Sequence, residues 1–333
     1  NINLTHDTVI DIKINATKEI GEVVVTSATN KLRSSQMGLV EIPIQETKQL
    51  PVLLGEADLM KTIQLMPGIK GGTEGTSGIY VRGGGPDQNL ILLDGVPVYN
   101  ASHAFGAFSV FNTDAVQSFS VMKGGFPARF GGRLSSVIDI KMKEGNNKEF
   151  HGEGSIGIIS SKLTLEGPIK KEQSSFLISA RRTYFDLFTV PLTLAASGGK
   201  YFGGYYFYDV NAKVNHKFSE KSRLFLSFYT GMDKVYMREI NSFDNNTSKA
   251  TAGTGWGNIT IALRWNYILS DNLFANFTGT FSRYNFFIEE ETKYDKGANY
   301  YSYEYNSGIK DYGTKIDFDY LPHSAHNIKF GLN

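Results

Sequence analysis

The sequence predicts a mixed α/β domain followed by antiparallel transmembrane β-barrel strands, with the barrel incomplete in this chain. Three observations carry that expectation. Residues 37–147 combine one short helical pattern with brief apolar strands and glycine-rich loops. From residue 148 onward, long segments alternate apolar and polar side chains, the period of a strand with two unlike faces. Their connections are alternately short and long, as in an outer-membrane barrel with short turns on one side and long loops on the other.

Composition narrows the function classes. A chain of 333 residues can hold two domains or one large one. With 34 basic against 33 acidic residues there is no electrostatic footprint for nucleic acid. Absence of cysteine excludes disulfides, thiol catalysis and Cys-based zinc sites. The 23 Phe, 18 Tyr and 35 Gly against 9 Pro suit a β-rich protein with many turns. No apolar run reaches the roughly 18 residues of a membrane helix. A membrane barrel stays open, because its strands carry a much weaker signal. The opening NINLTHDTVI does not look like a signal peptide, so a leader is expected to have been removed or cropped.

In chain order, Thr8–Ile14 alternates like a strand but offers too little apolar surface to fold alone. It reads as the last strand of a domain that is mostly missing, over residues 1–20. Glu22-Val23-Val24-Val25-Thr26 follows, within a segment and polar linker over 21–36. Its β-branched run favours extended backbone. Two readings stay open: an ordinary buried strand, or an unpaired strand available to a partner's sheet edge. Residues 54–66 predict a helix with Leu59, Ile63 and Met66 on one face, Glu56 and Asp58 in its first turn, and Pro67-Gly68 ending it.

The stretch Gly78–Asn100 holds strands at 79–81 and 90–93, the loop Arg82–Asn89, and an Asp94-Gly95 hairpin turn. A phosphate cradle is excluded, because the loop has no lysine and returns to a strand rather than opening a helix. It reads as a β–β unit. Strands are expected again at Phe119–Met122 and Ser136–Ile140, around the loop Lys123–Arg133. The six histidines are scattered, and His103 has no nucleophile or carboxylate near it in sequence. No catalytic site, metal site or cofactor is expected.

Beyond residue 148 the faces separate cleanly. Ile259, Ile261, Leu263, Trp265 and Tyr267 alternate with Asn258, Thr260, Ala262, Arg264 and Asn266. Val210, Ala212 and Val214 alternate with Asp209, Asn211, Lys213 and Asn215. Short turns fall at 167–171, 219–221, 270–272 and 322–325, with long connectors expected near 185–203, 234–255 and 289–303. About nine strands result, the last at 327–333 without a closing partner. A barrel of about eight strands fills with its own side chains, whereas one of about 22 encloses a plug. The chain is therefore expected to be the first part of a larger protein.

Gly55-Glu56-Ala57-Asp58 through Pro67-Gly68, Tyr80-Val81-Arg82-Gly83-Gly84, Leu92-Leu93-Asp94-Gly95-Val96-Pro97-Val98-Tyr99 and Phe130-Gly131-Gly132-Arg133 resemble the plug of TonB-dependent outer-membrane transporters. The form is similar to Bacteroidota-type receptors with an amino-terminal carboxypeptidase-regulatory-like domain. The resemblance implies that residues 1–20 end that domain, that 37–147 form the plug, and that 148–333 open the barrel of a Gram-negative outer-membrane protein. It implies a TonB box at Glu22–Thr26, pulled by TonB with ExbB and ExbD. It further implies motif roles for Arg82, Gly83, Gly84, Asp94, Gly95, Gly131, Gly132 and Arg133. The glycines would pass close to the barrel wall, and Arg82 would find a partner in the polar lumen. Tyr99, Asn100, His103 and Phe105 are candidate substrate contacts. The implied function is proton-motive-force-coupled import of a nutrient: an iron chelate, cobalamin, oligosaccharide or peptide. Membrane lipid surrounds such a barrel, and a surface lipoprotein is a conceivable companion. The rival reading is a surface adhesin or secretion-associated structural barrel with a static plug.

Overall fold

The computed structural model describes residues 38–49, 56–72, 78–243, 246–294, 299–323 and 326–333. The expectations for residues 1–20, for Glu22–Thr26 and for the following linker lie outside the described residues.

A five-stranded mixed sheet organises the first part, in the order β1 (Leu39–Pro43), β8 (Val116–Met122), β9 (Ser136–Met142), β4 (Asn89–Leu93) and β5 (Val96–Pro97). Only β4 and β9 run parallel; the other neighbours are antiparallel. Two short helices, α1 (Ile44–Lys48) and α2 (Leu59–Gln64), cover the sheet. Leu59 and Ile63 bury as expected, against Ile42, Phe119, Val121 and Ile138. The main apolar core of the first domain reaches the barrel strands at Leu177 and Tyr229, and a second buried cluster is shared, with Phe108 packed beside Ile159 and Phe207. Asp58 is the N-cap of α2 rather than a first-turn residue, accepting from the Lys61 backbone N–H at 3.1 Å. Glu56 lies ahead of the helix and is used elsewhere.

The expected β–β unit is divided between two sheets. Strand β3 (Ile79–Val81) pairs with β2 (Ile69–Gly71), while β4 joins the five-stranded sheet beside β9. The intervening loop redirects the chain: Arg82 adopts φ 48°, and Pro86–Gln88 forms a 3₁₀ turn. Asp94-Gly95 does form the tight hairpin, with Leu93 opposite Val96 and φ of 48° and 84° at the two turn residues. Positive φ at both central positions is what a type I′ turn requires. The expected glycine approach to the barrel wall is corrected. A Cβ on Gly84 would stand 2.4 Å from Oγ of Ser135, within the same domain, and one on Gly83 or Gly95 would meet nothing within 4 Å.

The second part is one antiparallel sheet of nine described strands. These are β10 (His151–Ile156), β11 (Ser160–Lys170), β12 (Ser174–Thr183), β13 (Tyr201–Ser219), β14 (Ser222–Phe243), β15 (Asn246–Ser270), β16 (Leu273–Tyr294), β17 (Asn299–His323) and β18 (His326–Leu332). Each pairs with its sequence neighbours, and β10 and β18 are the two edges. The sheet is inside-out relative to a soluble protein. Asp209, Asn211, Lys213 and Asn215 are buried toward the first domain, while Val214 and Phe218 are exposed. On β15, Asn258, Thr260 and Ala262 are buried, and Ile261, Leu263 and Trp265 are exposed. An apolar outer face wants lipid, as a soluble sandwich does not.

The connectors differ from expectation. Residues 234–243 and 246–255 are the paired upper arms of β14 and β15, and 289–294 pairs with 299–304 in β16 and β17. Only the connection after β12 contains something else, the helix α3 (Phe185–Ala196). Polar and aromatic residues continue the alternation, so backbone pairing continues where composition alone reads as loop. A strand needs only about 9–11 residues to cross a bilayer, so strands of 22 to 25 residues extend well past it.

Leu263→Lys puts a charge on the lipid-facing surface about a span's half-length from the 270–273 turn. It is expected to destabilise folding into lipid vesicles by about 2 kcal/mol, read from urea titration of the heat-modifiable band on gels.

Candidate functional site: the plug–wall interface

Strand β5 leads to a tight excursion, with β6 (Ser102–His103) and β7 (Phe108–Ser109) paired around a 3₁₀ turn at Ala104–Gly106. Ala104 and Phe105 both hold left-handed φ, 50° and 55°. That geometry drives His103 into the wall and leaves Phe105 at the tip.

His103 is 1% exposed and uses both ring nitrogens. Nε2 lies 2.7 Å from Oδ1 of Asp209 on β13, and Nδ1 lies 2.5 Å from Oδ2 of Asp233 on β14. Its ring stacks on Phe207 at 4.2 Å. Asp233 also accepts from the Ala104 backbone N–H at 2.9 Å and the Tyr205 hydroxyl at 2.5 Å. Asp209 also accepts from Arg181 Nε at 2.7 Å and the Tyr229 hydroxyl at 2.9 Å. Arg181 in turn donates to the Ser109 carbonyl at 2.8 Å and stands 3.7 Å from Glu56. Glu56 pairs with Lys162 at 2.5 Å and accepts from the Ser160 hydroxyl.

Three carboxylates therefore face Lys162, Arg181 and the His103 imidazole in a site with almost no water access. Burial pulls the His103 pKa down, but the Asp209 charge and the hydrogen bonds to Asp209 and Asp233 outweigh it, raising the pKa to about 9. With His103 protonated, the three acids meet three cations.

A second clasp forms at the hairpin turn. Asp94 accepts from the Met142 backbone N–H at 3.0 Å and the Ser227 hydroxyl at 2.5 Å, and pairs with Lys213 at 3.0 Å. Burial pushes the Asp94 carboxyl up, but the Lys213 charge, with Ser227, Arg264 and Met142, holds it below its ordinary value. Lys213 also donates to the Met142 carbonyl at 3.1 Å. A third row, of hydrogen bonds without an ion pair, runs along the chain after β5. Ser282 Oγ donates to the Pro97 carbonyl at 2.6 Å, Asn258 Nδ2 to the Asn100 carbonyl at 2.6 Å, and Tyr99 Oη to Asp311 at 2.6 Å.

The candidate substrate contacts thus separate. His103 is corrected to a structural residue: it is buried and both nitrogens are occupied by wall carboxylates. Tyr99 is tied to Asp311, and burial and that carboxylate push its pKa up to about 12. The Asn100 side chain accepts from Ser102, at 3.2 Å from its N–H and 2.9 Å from its hydroxyl. Phe105 is 74% exposed, its ring 4.9 Å from Trp256, and is free to meet a ligand. Arg82 is also corrected. Its side chain is exposed and makes no ion pair among the described residues; only its backbone N–H is engaged, with Gly68 at 3.1 Å. Gly131 and Gly132 are exposed, and Arg133 donates to the Gly132 carbonyl at 2.8 Å. Sequence reasoning missed Glu56, Lys162, Arg181 and Asp233, and read Asp209 and Lys213 only as members of a polar face.

A group whose folded pKa is raised stabilises below its unfolded value and loses that contribution as pH climbs through the folded one. The seat of residues 101–110 is therefore expected to loosen between pH 6.5 and about 9, seen as faster amide exchange there. His103→Gln should abolish that pH dependence. Arg82→Gln is expected to leave stability within about 0.5 kcal/mol of the parent, by urea titration.

Comparison with known proteins places this geometry. Residues 43–137 match the family described as TonB-dependent receptor plug domain. The ferrienterobactin receptor of Escherichia coli (strain K12) is 29% identical over 171 residues, 46% of this chain and 22% of that protein. The ferric enterobactin receptor of Pseudomonas aeruginosa is 28% identical over 156 residues, 41% of this chain and 20% of that protein. The aligned stretch thus spans about a fifth of each of these relatives. Among solved structures, the copper transporter OprC superposes with a TM-score of 0.52 at 12% identity, over 89% of this chain and 55% of that one, a likeness of fold. Residues 43–137 accordingly match the plug domain of TonB-dependent receptors, and they sit against antiparallel strands with the fold of a transporter barrel.

Proposed function

We propose that the whole protein imports a nutrient across the outer membrane, coupled to the proton-motive force through TonB with ExbB and ExbD. The observation that carries this reading is the chemistry of the seat. The plug meets the wall chiefly through ion pairs and hydrogen bonds, centred on Glu56, His103 and Asp94, while among the described residues the buried apolar sharing is confined to Leu177, Tyr229 and the small cluster of Phe108 with Ile159 and Phe207. Polar contacts can be exchanged for water when the plug is pulled, whereas a shared apolar core would resist. The outer membrane has no nucleotide supply, so mechanical coupling is the available energy source.

Glu22–Thr26 is the proposed grip for TonB, by strand addition to an edge. Residues 1–20 would then close a carboxypeptidase-regulatory-like domain of the Bacteroidota type. The relatives named for ferric enterobactin support an iron chelate as one cargo class. That support comes through an alignment covering about a fifth of their length.

Deleting Val23–Val25 is expected to abolish energised uptake in cells while leaving substrate binding by the purified protein unchanged. Normal uptake by the deletion strain would refute the coupling role.

A further inference from the structure

The upper arms of β15, β16 and β17 form a wall above the plug that carries its described basic residues on one face only. Their inward face is fixed by contacts to the plug: Trp256 Nε1 donates to the Ser102 carbonyl at 3.4 Å, Ser282 to Pro97, and Asp311 holds Tyr99. Side chains two residues apart share a face, and register is unbroken from Ser282↔Asp311 to Tyr294↔Asn299. The inward face therefore carries Trp256, Tyr284, Phe286, Tyr305, Tyr303 and Tyr301 in ascending order, with Phe286 and Tyr305 6.3 Å apart edge-on. Phe105 of the plug extends this row at its foot, against Trp256.

Two further properties define the row. Directly across from Tyr305, Tyr303 and Tyr301 on β16 stand Ile288, Glu290 and Thr292, and β15 beyond them presents the small Thr254, Ala252 and Ala250; the three tyrosines are about half exposed. Its charge is also one-sided. Among the described arm residues, Lys249, Arg283, Lys293 and Lys310 all fall on the opposite face, beside Glu289, Glu291 and Glu304, and the inward positions carry two acids, Glu290 and Asp311, and no lysine or arginine. The plug's Arg133 approaches Tyr99, where the Asp311 carboxylate opposes it.

Resting on the importer reading above, we propose that this aromatic ladder binds an uncharged oligosaccharide, whose sugar rings stack on successive side chains. A row of equivalent platforms suits a ligand of repeating units. Tyrosine adds a hydroxyl at each ring edge to hydrogen-bond sugar hydroxyls, and ring stacking requires no charge. A polyanionic iron chelate would instead require cations facing it, and this face has turned its cations away.

The test uses the intact protein in detergent micelles and isothermal titration with neutral glucan, galactan, mannan and xylan oligosaccharides, alongside an iron(III) tris-catecholate. The expected result is binding of at least one neutral oligosaccharide, insensitive to salt, weakened about tenfold or more by Tyr303→Ala/Tyr305→Ala. Both residues are solvent-facing, so the variant should keep its heat-modifiable folded band. Binding of none of the neutral oligosaccharides would overturn the proposal, as would salt-sensitive binding of the tris-catecholate unaffected by the variant. The Val23–Val25 deletion separates the two readings: if chelate uptake depends on that segment, the importer stands and only the ladder's assignment falls.

Discussion

Charge neutrality inside a low-dielectric interface is the constraint on which the arrangement depends. Asp209 and Asp233 on the wall, and Glu56 on the plug, are each too costly to bury alone. Arg181 answers two of them, Lys162 one, and His103 supplies the remaining cation by staying protonated. Arg181 and Asp209 pair within the wall, but Glu56, Lys162, His103 and Asp233 find their charged partners only across the interface among the described residues. The plug can therefore sit in one register only, and the wall's inner face is incomplete without it. This explains how a domain whose main apolar core is its own is nonetheless held specifically by a neighbour that shares only the smaller cluster around Phe108 and Phe207.

Much of the fold was legible because local chemistry and global structure agree. Asp94-Gly95 demands a type I′ turn and makes one, and the alternation at 258–267 reports a two-faced strand whose apolar side is the outer one. The loop after Val81 misled, because pairing partners are a long-range property: nothing local shows that β3 turns back to β2 while β4 crosses to β9. The upper strand arms misled for a related reason. Once a segment leaves the bilayer it no longer needs an apolar face, so composition relaxes while the backbone ladder continues.

The site was less legible than the fold. His103 has no carboxylate near it in sequence because its partners lie 106 and 130 residues away. Asp209 was visible on the polar face of an alternating strand and Asp233 was not, and nothing local showed which plug residue either would meet. Arg82 illustrates the converse. A motif arginine beside three glycines invites a pairing role, yet its strained backbone turns the side chain to solvent. Motif membership locates a domain more securely than it assigns work to a side chain.

The long arms bear on how the mouth of such a receptor behaves. From residue 234 to 255, and again from 289 to 303, the described backbone is laddered hydrogen bond by hydrogen bond. Cross-strand pairing of this kind makes a stiff collar, not a set of flaps. A collar can hold its surface chemistry in a fixed arrangement for arriving molecules, but it cannot fold over them. Closure over an arriving molecule then has to come from elements other than these arms.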